Sequence, residues 1–179
     1  NAMEQFSVNA DSGWHLKFIS LSPRPFRCRG TIHTGGILVD PRKYYSTLMA
    51  KPSDVQFTRF EIGADRTSLE FDMTMTMLMS EIVFDVDPPD STVRFDIDIV
   101  SGEPDAGVFL GTGSRVEGGE ISLIRNDRRL KGLPASYMKT PAGCYIRTVI
   151  DPKEAGSRTD LNADAIDRLK ALGYITDDR

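Results

Sequence analysis

The residues of this chain that are best suited to bind a ligand form a short basic stripe near the N-terminus. Arg27, Arg29 and His33 alternate with apolar residues, and Trp14 lies in a similar segment upstream. The planar guanidinium group suits sulfate, phosphate and carboxylate groups, and aromatic rings stack on sugars or cations. This set therefore predicts a carbohydrate or anion site. The alternative interpretation is a polar strand face whose arginines pair with acidic residues on a neighbouring strand.

Two further features could contribute to a binding surface. Tyr44 and Tyr45 follow Pro41 in a predicted loop, where they could form a platform for a sugar or cover the edge of the core. The alternating methionines between Met73 and Met79 are typical of adaptable core filling, and would form a docking patch only if they faced outward. The candidate ligand-binding residues are Trp14, Arg27, Arg29, His33, Tyr44 and Tyr45.

The sequence offers little for catalysis. It has two histidines and two cysteines, and no nucleophile motif surrounds Cys28 or Cys144. The acidic run from Asp85 to Asp105 matches no calcium loop, and Asp96 with Asp98 is typical of the solvent face of a strand. We therefore predict no catalytic residue, metal or cofactor. Cys28 and Cys144 could pair, although two buried thiols are the favoured interpretation.

Composition limits the class of protein. The chain has 179 residues, of which 40% are hydrophobic, and this share is ample for a packed core. Its 22 basic and 26 acidic residues give a net charge of −4, which argues against nucleic acid as a partner. No stretch approaches the roughly 18 consecutive apolar residues of a transmembrane helix, so none is expected.

The elements that must position the candidate residues have a period of two. Apolar and polar residues alternate through 14–18, 26–33, 69–79 and 93–99, as in strands with one face in a core and one in solvent. Segments rich in proline, glycine and aspartate separate these runs. About nine short strands predict a mainly β fold, an antiparallel, jelly-roll-like β-sandwich, with a closed barrel left open as the alternative.

The ends of the chain have a different character. Residues 1–3 resemble the remnant of a purification tag, and residues 4–150 form the predicted sandwich domain. Residues 151–179 are predicted to form a turn and one short amphipathic helix. Its apolar stripe comprises Ile166, Leu169 and Leu172. Such a helix is marginal alone in water and needs a surface to pack on.

Residues 168–175, which read Arg-Leu-Lys-Ala-Leu-Gly-Tyr-Ile, resemble the extreme C-terminus of many bacterial sulfatases of the alkaline-phosphatase superfamily. The preceding Asp-Pro-Lys-Glu-Ala at 151–155 is similar to a turn that commonly precedes their last helix. Segments 13–16, 26–32, 87–89 and 108–111 are similar to a β-rich module that some of these proteins carry between catalytic domain and tail.

The resemblance implies a non-catalytic C-terminal region of a larger hydrolase. Sulfatases use a Cys/Ser-x-Pro-x-Arg motif, whereas Cys28 precedes Arg-Gly-Thr-Ile and Cys144 precedes Tyr-Ile-Arg-Thr. The expected partner is therefore the catalytic domain of the parent hydrolase, and the implied location is the periplasm or cell envelope. The alternative is a stand-alone β-sandwich module that binds a carbohydrate or an anion, including a sulfated ligand.

Overall fold

A computed structural model describes residues 4–5, 12–45, 54–76, 78–134 and 139–150. The chain divides into two units, Asn1–Val149 and Ile150–Arg179, and all the described residues except Ile150 belong to the first. The predicted tag remnant at 1–3 and the predicted C-terminal turn and helix at 151–179 lie outside the described residues.

The described part of the chain is mainly β, as the alternation predicts. Its strands are β1 Glu4–Gln5, β2 Gly13–Ser20, β3 Phe26–Thr34, β4 Ile37–Tyr45, β5 Val55–Ile62, β6 Ser68–Met75, β7 Leu78–Asp87, β8 Val93–Ser101, β9 Gly107–Leu110, β10 Glu120–Leu123 and β11 Gly143–Val149. One turn of 3-10 helix, Arg128–Leu130, lies between β10 and β11. Within these residues, no helix has the length and apolar character needed to cross a membrane.

The strands form two sheets that pack as a sandwich. The six-stranded sheet has the order β1-β4-β7-β2-β11-β9, and the five-stranded sheet has the order β10-β8-β3-β6-β5. The pairs β5–β6, β4–β7, β3–β8 and β2–β11 are nested within one another along the chain and alternate between the sheets. This nesting is typical of a jelly roll. The antiparallel sandwich is therefore confirmed, with parallel pairing only where β1 meets β4 and β9 meets β11 among the described strands.

Aromatic side chains fill the space between the sheets. Trp14 is fully buried, with its ring centroid 6.4 Å from that of Phe84 in its own sheet and 5.5 Å from that of Phe95 in the other. Phe18 meets Phe71 across the core at 5.7 Å. Burying an aromatic ring typically removes about 150–250 Å² of surface from water, so these rings dominate the packing energy.

The methionine run spans two strands rather than one. Met73 and Met75 are fully buried, which confirms their interpretation as core residues. However, β6 ends at Met75 in the five-stranded sheet, and β7 begins at Leu78 in the six-stranded sheet. The alternation of 69–75 does not continue into the main core on β7. Ile82, Phe84 and Val86 of β7 belong to that core, whereas Met79 packs against a separate small cluster that comprises Ile19, Phe109 and Tyr145.

Strand β2 departs from the predicted pattern, because all eight of its residues are buried. Its polar residues His15 and Lys17, expected in solvent, lie instead beside the buried carboxylate of Glu81 on β7. His15 Nδ1 is 2.8 Å from Glu81 Oε1, and Arg147 Nε is 3.7 Å from the same oxygen. These polar and charged side chains can be buried because each of them lies close to a group of opposite charge or forms a hydrogen bond.

The surroundings of Glu81 stabilise its charged form. Burial alone would raise the pKa of this carboxyl group. The hydrogen bond with His15, together with the nearby charges of Lys17 and Arg147, outweighs burial and lowers the pKa below its usual value. The ionised carboxylate is therefore the form that the folded protein favours.

We expect Glu81→Gln to lower the free energy of unfolding by about 3–5 kcal/mol, because it leaves the buried Lys17 and the partly buried Arg147 beside a neutral amide. Because the folded-state pKa of Glu81 is lowered, its contribution is complete above the unfolded pKa of about 4.3 and is lost as pH falls further. Urea unfolding at several pH values should therefore show that the free energy of unfolding falls less steeply with decreasing pH in the variant than in the wild type.

The matched control is Glu61→Gln, which changes an exposed carboxylate paired with Arg59. Exposed ion pairs contribute less than about 1 kcal/mol, so this variant should unfold at nearly the wild-type urea concentration. Equal losses in the two variants would contradict the role assigned to Glu81.

Candidate functional site

The outer face of the five-stranded sheet carries rows of charged side chains. Strand β3 lies between β8 and β6, so each outward residue of β3 has a neighbour on both sides. Arg29 lies between Asp98 and Asp72 in one row. In the next row, Thr31 lies between Asp96 and Glu70.

The arginines of this face are held by carboxylates. Arg27 donates two hydrogen bonds to Asp72, Nε to Oδ1 at 3.0 Å and Nη2 to Oδ2 at 2.7 Å. Arg29 donates from Nε and Nη2 to Oδ2 of Asp98 at 3.2 and 3.1 Å. The hydrogen bond from Arg27 lowers the pKa of the Asp72 carboxyl group. The alternative interpretation of the basic stripe, a strand face paired with its acidic neighbours, is the arrangement found.

A groove of about 420 Å³ runs over this face. Its lining residues are Arg29, Gly30, Thr31, Arg59, Glu70, Phe71, Asp72, Asp96 and Asp98. Arg59 reaches it from the edge strand β5, whose register shifts between Phe57 and Arg59. The guanidinium Nη2 of Arg59 is then 2.8 Å from Glu70 Oε2 and 3.0 Å from Glu61 Oε2.

The groove is acidic overall. Four carboxylates line it against two guanidinium groups, and both guanidinium groups already face a carboxylate. Asp96 is the lining carboxylate that forms no ion pair within the described part of the chain. A polar ligand would therefore meet more hydrogen-bond acceptors than free cationic donors.

The structure brings together three of the six predicted ligand-binding residues. Arg27, Arg29 and His33 all lie on the outer side of β3, although only Arg29 lines the groove. His33 lies near the end of the strand, paired in register with Ser68 and Arg94.

The three aromatic candidates lie elsewhere. Trp14 is fully buried between the sheets, so it cannot stack on a ligand. Tyr44 and Tyr45 belong to β4 in the six-stranded sheet rather than to a loop, and both are buried. Tyr45 packs in the main core, and the guanidinium of Arg42 lies 5.5 Å from the centre of the Tyr44 ring. We therefore correct the proposed sugar platform: these rings serve the packing of the sandwich.

Several groove residues escape sequence reasoning. The alternation of 69–75 correctly directs Glu70 and Asp72 outward, but it cannot show that β6 adjoins β3. Thr31 carries no distinguishing signal in the sequence. The sequence does not predict which face Arg59 occupies, because the register of β5 against β6 shifts between Phe57 and Arg59.

Across the described ranges, no group of three or more His, Cys, Asp or Glu side chains could hold a metal ion. Neither a protein-family model, nor a curated protein, nor a solved structure matches the chain. The groove must therefore be interpreted from its own chemistry.

Because Trp14 is buried and Arg29 is exposed, truncating them should lower the free energy of unfolding by very different amounts. Trp14→Ala should lower the free energy of unfolding by about 3–5 kcal/mol, because it opens a cavity in the core. Arg29→Ala removes an exposed ion pair and should cost less than about 1 kcal/mol. Urea unfolding of both variants tests the assignment. A near-neutral Trp14→Ala would mean that this ring lies outside the core.

Proposed function

We propose that this chain is a non-catalytic β-sandwich domain that binds a carbohydrate in the groove of the five-stranded sheet. The observation that carries the proposal is the groove itself, which combines carboxylates, guanidinium groups and a hydroxyl on one sheet face. Sugar hydroxyl groups both donate and accept hydrogen bonds, so they need such a mixed set of partners. Carbohydrate binding is the alternative that the sequence left open.

The groove is suited to binding because its polar groups are already ordered. Arg29 and Arg59 are each held by carboxylates, and their strands are hydrogen-bonded to neighbours. Side chains that are ordered before binding lose less conformational entropy when a ligand arrives. Sites built on strands also hold their geometry better than sites on loops.

The charge of the groove favours an uncharged or amino-bearing sugar over a sulfated one. A sulfate group would have to approach four carboxylates and compete for guanidinium groups that are already paired. In one row of the sheet, the cation of Arg29 lies between two carboxylates. In the adjacent row the equivalent position, between Asp96 and Glu70, is held by the uncharged Thr31. A ligand ammonium group above Thr31 would complete the alternation of charge.

We expect glucosamine oligomers to bind more tightly than N-acetylglucosamine oligomers of the same length, and sulfated oligosaccharides to bind least. Isothermal titration calorimetry at low salt measures this order, since salt screens charge–charge attraction. Asp96→Asn should weaken glucosamine-oligomer binding about tenfold, as expected for a charge-assisted hydrogen bond. Asp90→Asn, in an exposed turn, is the control and should leave binding unchanged. Absence of binding by all three sugar types would contradict the proposed function.

A second proposal concerns the larger protein. The resemblance of residues 151–155 and 168–175 to sulfatase C-termini supports an accessory role beside the catalytic domain of a sulfatase-like hydrolase. In such a protein the sandwich would assist or pack on the catalytic domain. A groove that holds glycan would also raise the local concentration of a carbohydrate substrate.

This second proposal predicts that the coding sequence upstream of Met3 encodes, in frame, a sulfatase-type catalytic domain. Sequencing the parent gene checks it. An upstream frame without such a domain would contradict the accessory role and leave the carbohydrate proposal untouched.

A further inference from the structure

The two cysteines of the chain lie on opposite sheets and face the same core. Cys28 is on β3, at the centre of the five-stranded sheet, and Cys144 is on β11 in the six-stranded sheet. Both thiols are free and fully buried, and both belong to the main core cluster. Since the chain contains two cysteines, an intramolecular pair admits a single connectivity.

The packing brings these two side chains together. Phe18 is the register neighbour of Cys144, and its ring contacts that of Phe71, whose strand β6 adjoins β3. The contact therefore aligns the part of the six-stranded sheet that holds Cys144 with the part of the five-stranded sheet that holds Cys28. Both side chains belong to the same buried cluster between the sheets, and the neighbouring thiol of Cys144 contributes, after burial, to raising the pKa of the Cys28 thiol.

We propose that Cys28 and Cys144 form a disulfide that joins the two sheets when the protein folds under oxidising conditions. The two thiols lose two protons and two electrons, and one sulfur–sulfur bond forms. A disulfide oxidant such as oxidised glutathione accepts the electrons and leaves as two thiols. The inference is independent of the carbohydrate-binding groove.

The location of the pair determines when the bond forms. Thiol–disulfide exchange requires a thiolate that the oxidant can reach. Neither condition holds in the native core, because both thiols are buried and burial raises the pKa of Cys28 well above its usual value. The exchange therefore belongs to folding, before the sheets close, and the finished bond is shielded from reductants.

The bond would restrict the unfolded chain strongly. The cysteines are 116 positions apart in sequence, and the loss of unfolded-state entropy grows with the length of the closed loop. Cross-linking the sheets should therefore raise the urea concentration at the unfolding midpoint by about 2 M relative to the reduced protein.

The test is to refold the full chain in a buffer of oxidised and reduced glutathione and then to add N-ethylmaleimide in denaturant. We expect an intact mass without maleimide and lower than the reduced chain by two hydrogens. The same chain refolded with excess dithiothreitol should carry two maleimides. Two maleimides after oxidative refolding, or a glutathione adduct on each cysteine, would overturn the proposal.

Urea unfolding provides a second readout. The oxidised wild type should show the higher midpoint, and reduction in denaturant followed by refolding with dithiothreitol should remove the difference. Cys28→Ala and Cys144→Ala each lack a partner thiol, so reductant should leave their midpoints unchanged. An oxidised wild type with the same midpoint as the chain that was reduced in denaturant and refolded with dithiothreitol would also overturn the proposal. The mass measurement uses the wild-type chain alone, so it decides the question even if both variants fail to fold.

Discussion

The register of β3 between β6 and β8 is the constraint on which the rest of the structure depends. Because side chains alternate along a strand, the same nine residues supply both the core and the groove. Cys28 and Ile32 point between the sheets, whereas Arg29 and Thr31 point outward between two rows of carboxylates. A slip of one residue would exchange these faces, burying guanidinium groups and exposing apolar side chains.

The two sheets differ in how the charged side chains of their outer faces are exposed to solvent. The five-stranded sheet keeps its charges exposed and paired, which contributes little to stability but leaves polar groups available to a ligand. The six-stranded sheet buries His15, Lys17 and Glu81 together. Removing one of them lowers the free energy of unfolding, because it leaves the charge of another buried without its partner. The buried charges of the six-stranded sheet thus contribute more to stability than the exposed charges of the five-stranded sheet, so residues of the proposed binding groove can change without loss of the fold.

The sequence predicts the local features well and the spatial relations poorly. Alternation identifies β3, β6 and β8 and even the outward direction of Arg29, Asp72 and Asp96, because period two is a property of each strand alone. It does not reveal which strands adjoin, and so the groove is invisible to it. The prediction of Trp14 as a ligand-binding residue is wrong because a large aromatic side chain suits both a sugar platform and a core, and only its burial distinguishes the two. The prediction that His15 and Lys17 face solvent is wrong because polar residues in an alternating strand usually face water, whereas these two lie beside a buried carboxylate.

The nesting of the strand pairs places two distant points of the chain side by side. Gly13 at the start of β2 is the register partner of Val149 at the end of β11. A short linker between these positions would close the sandwich into a ring, which could then be opened at a surface turn such as the one at residues 102–106. The fold is therefore a natural candidate for circular permutation, and for insertion as a module into a loop of another protein.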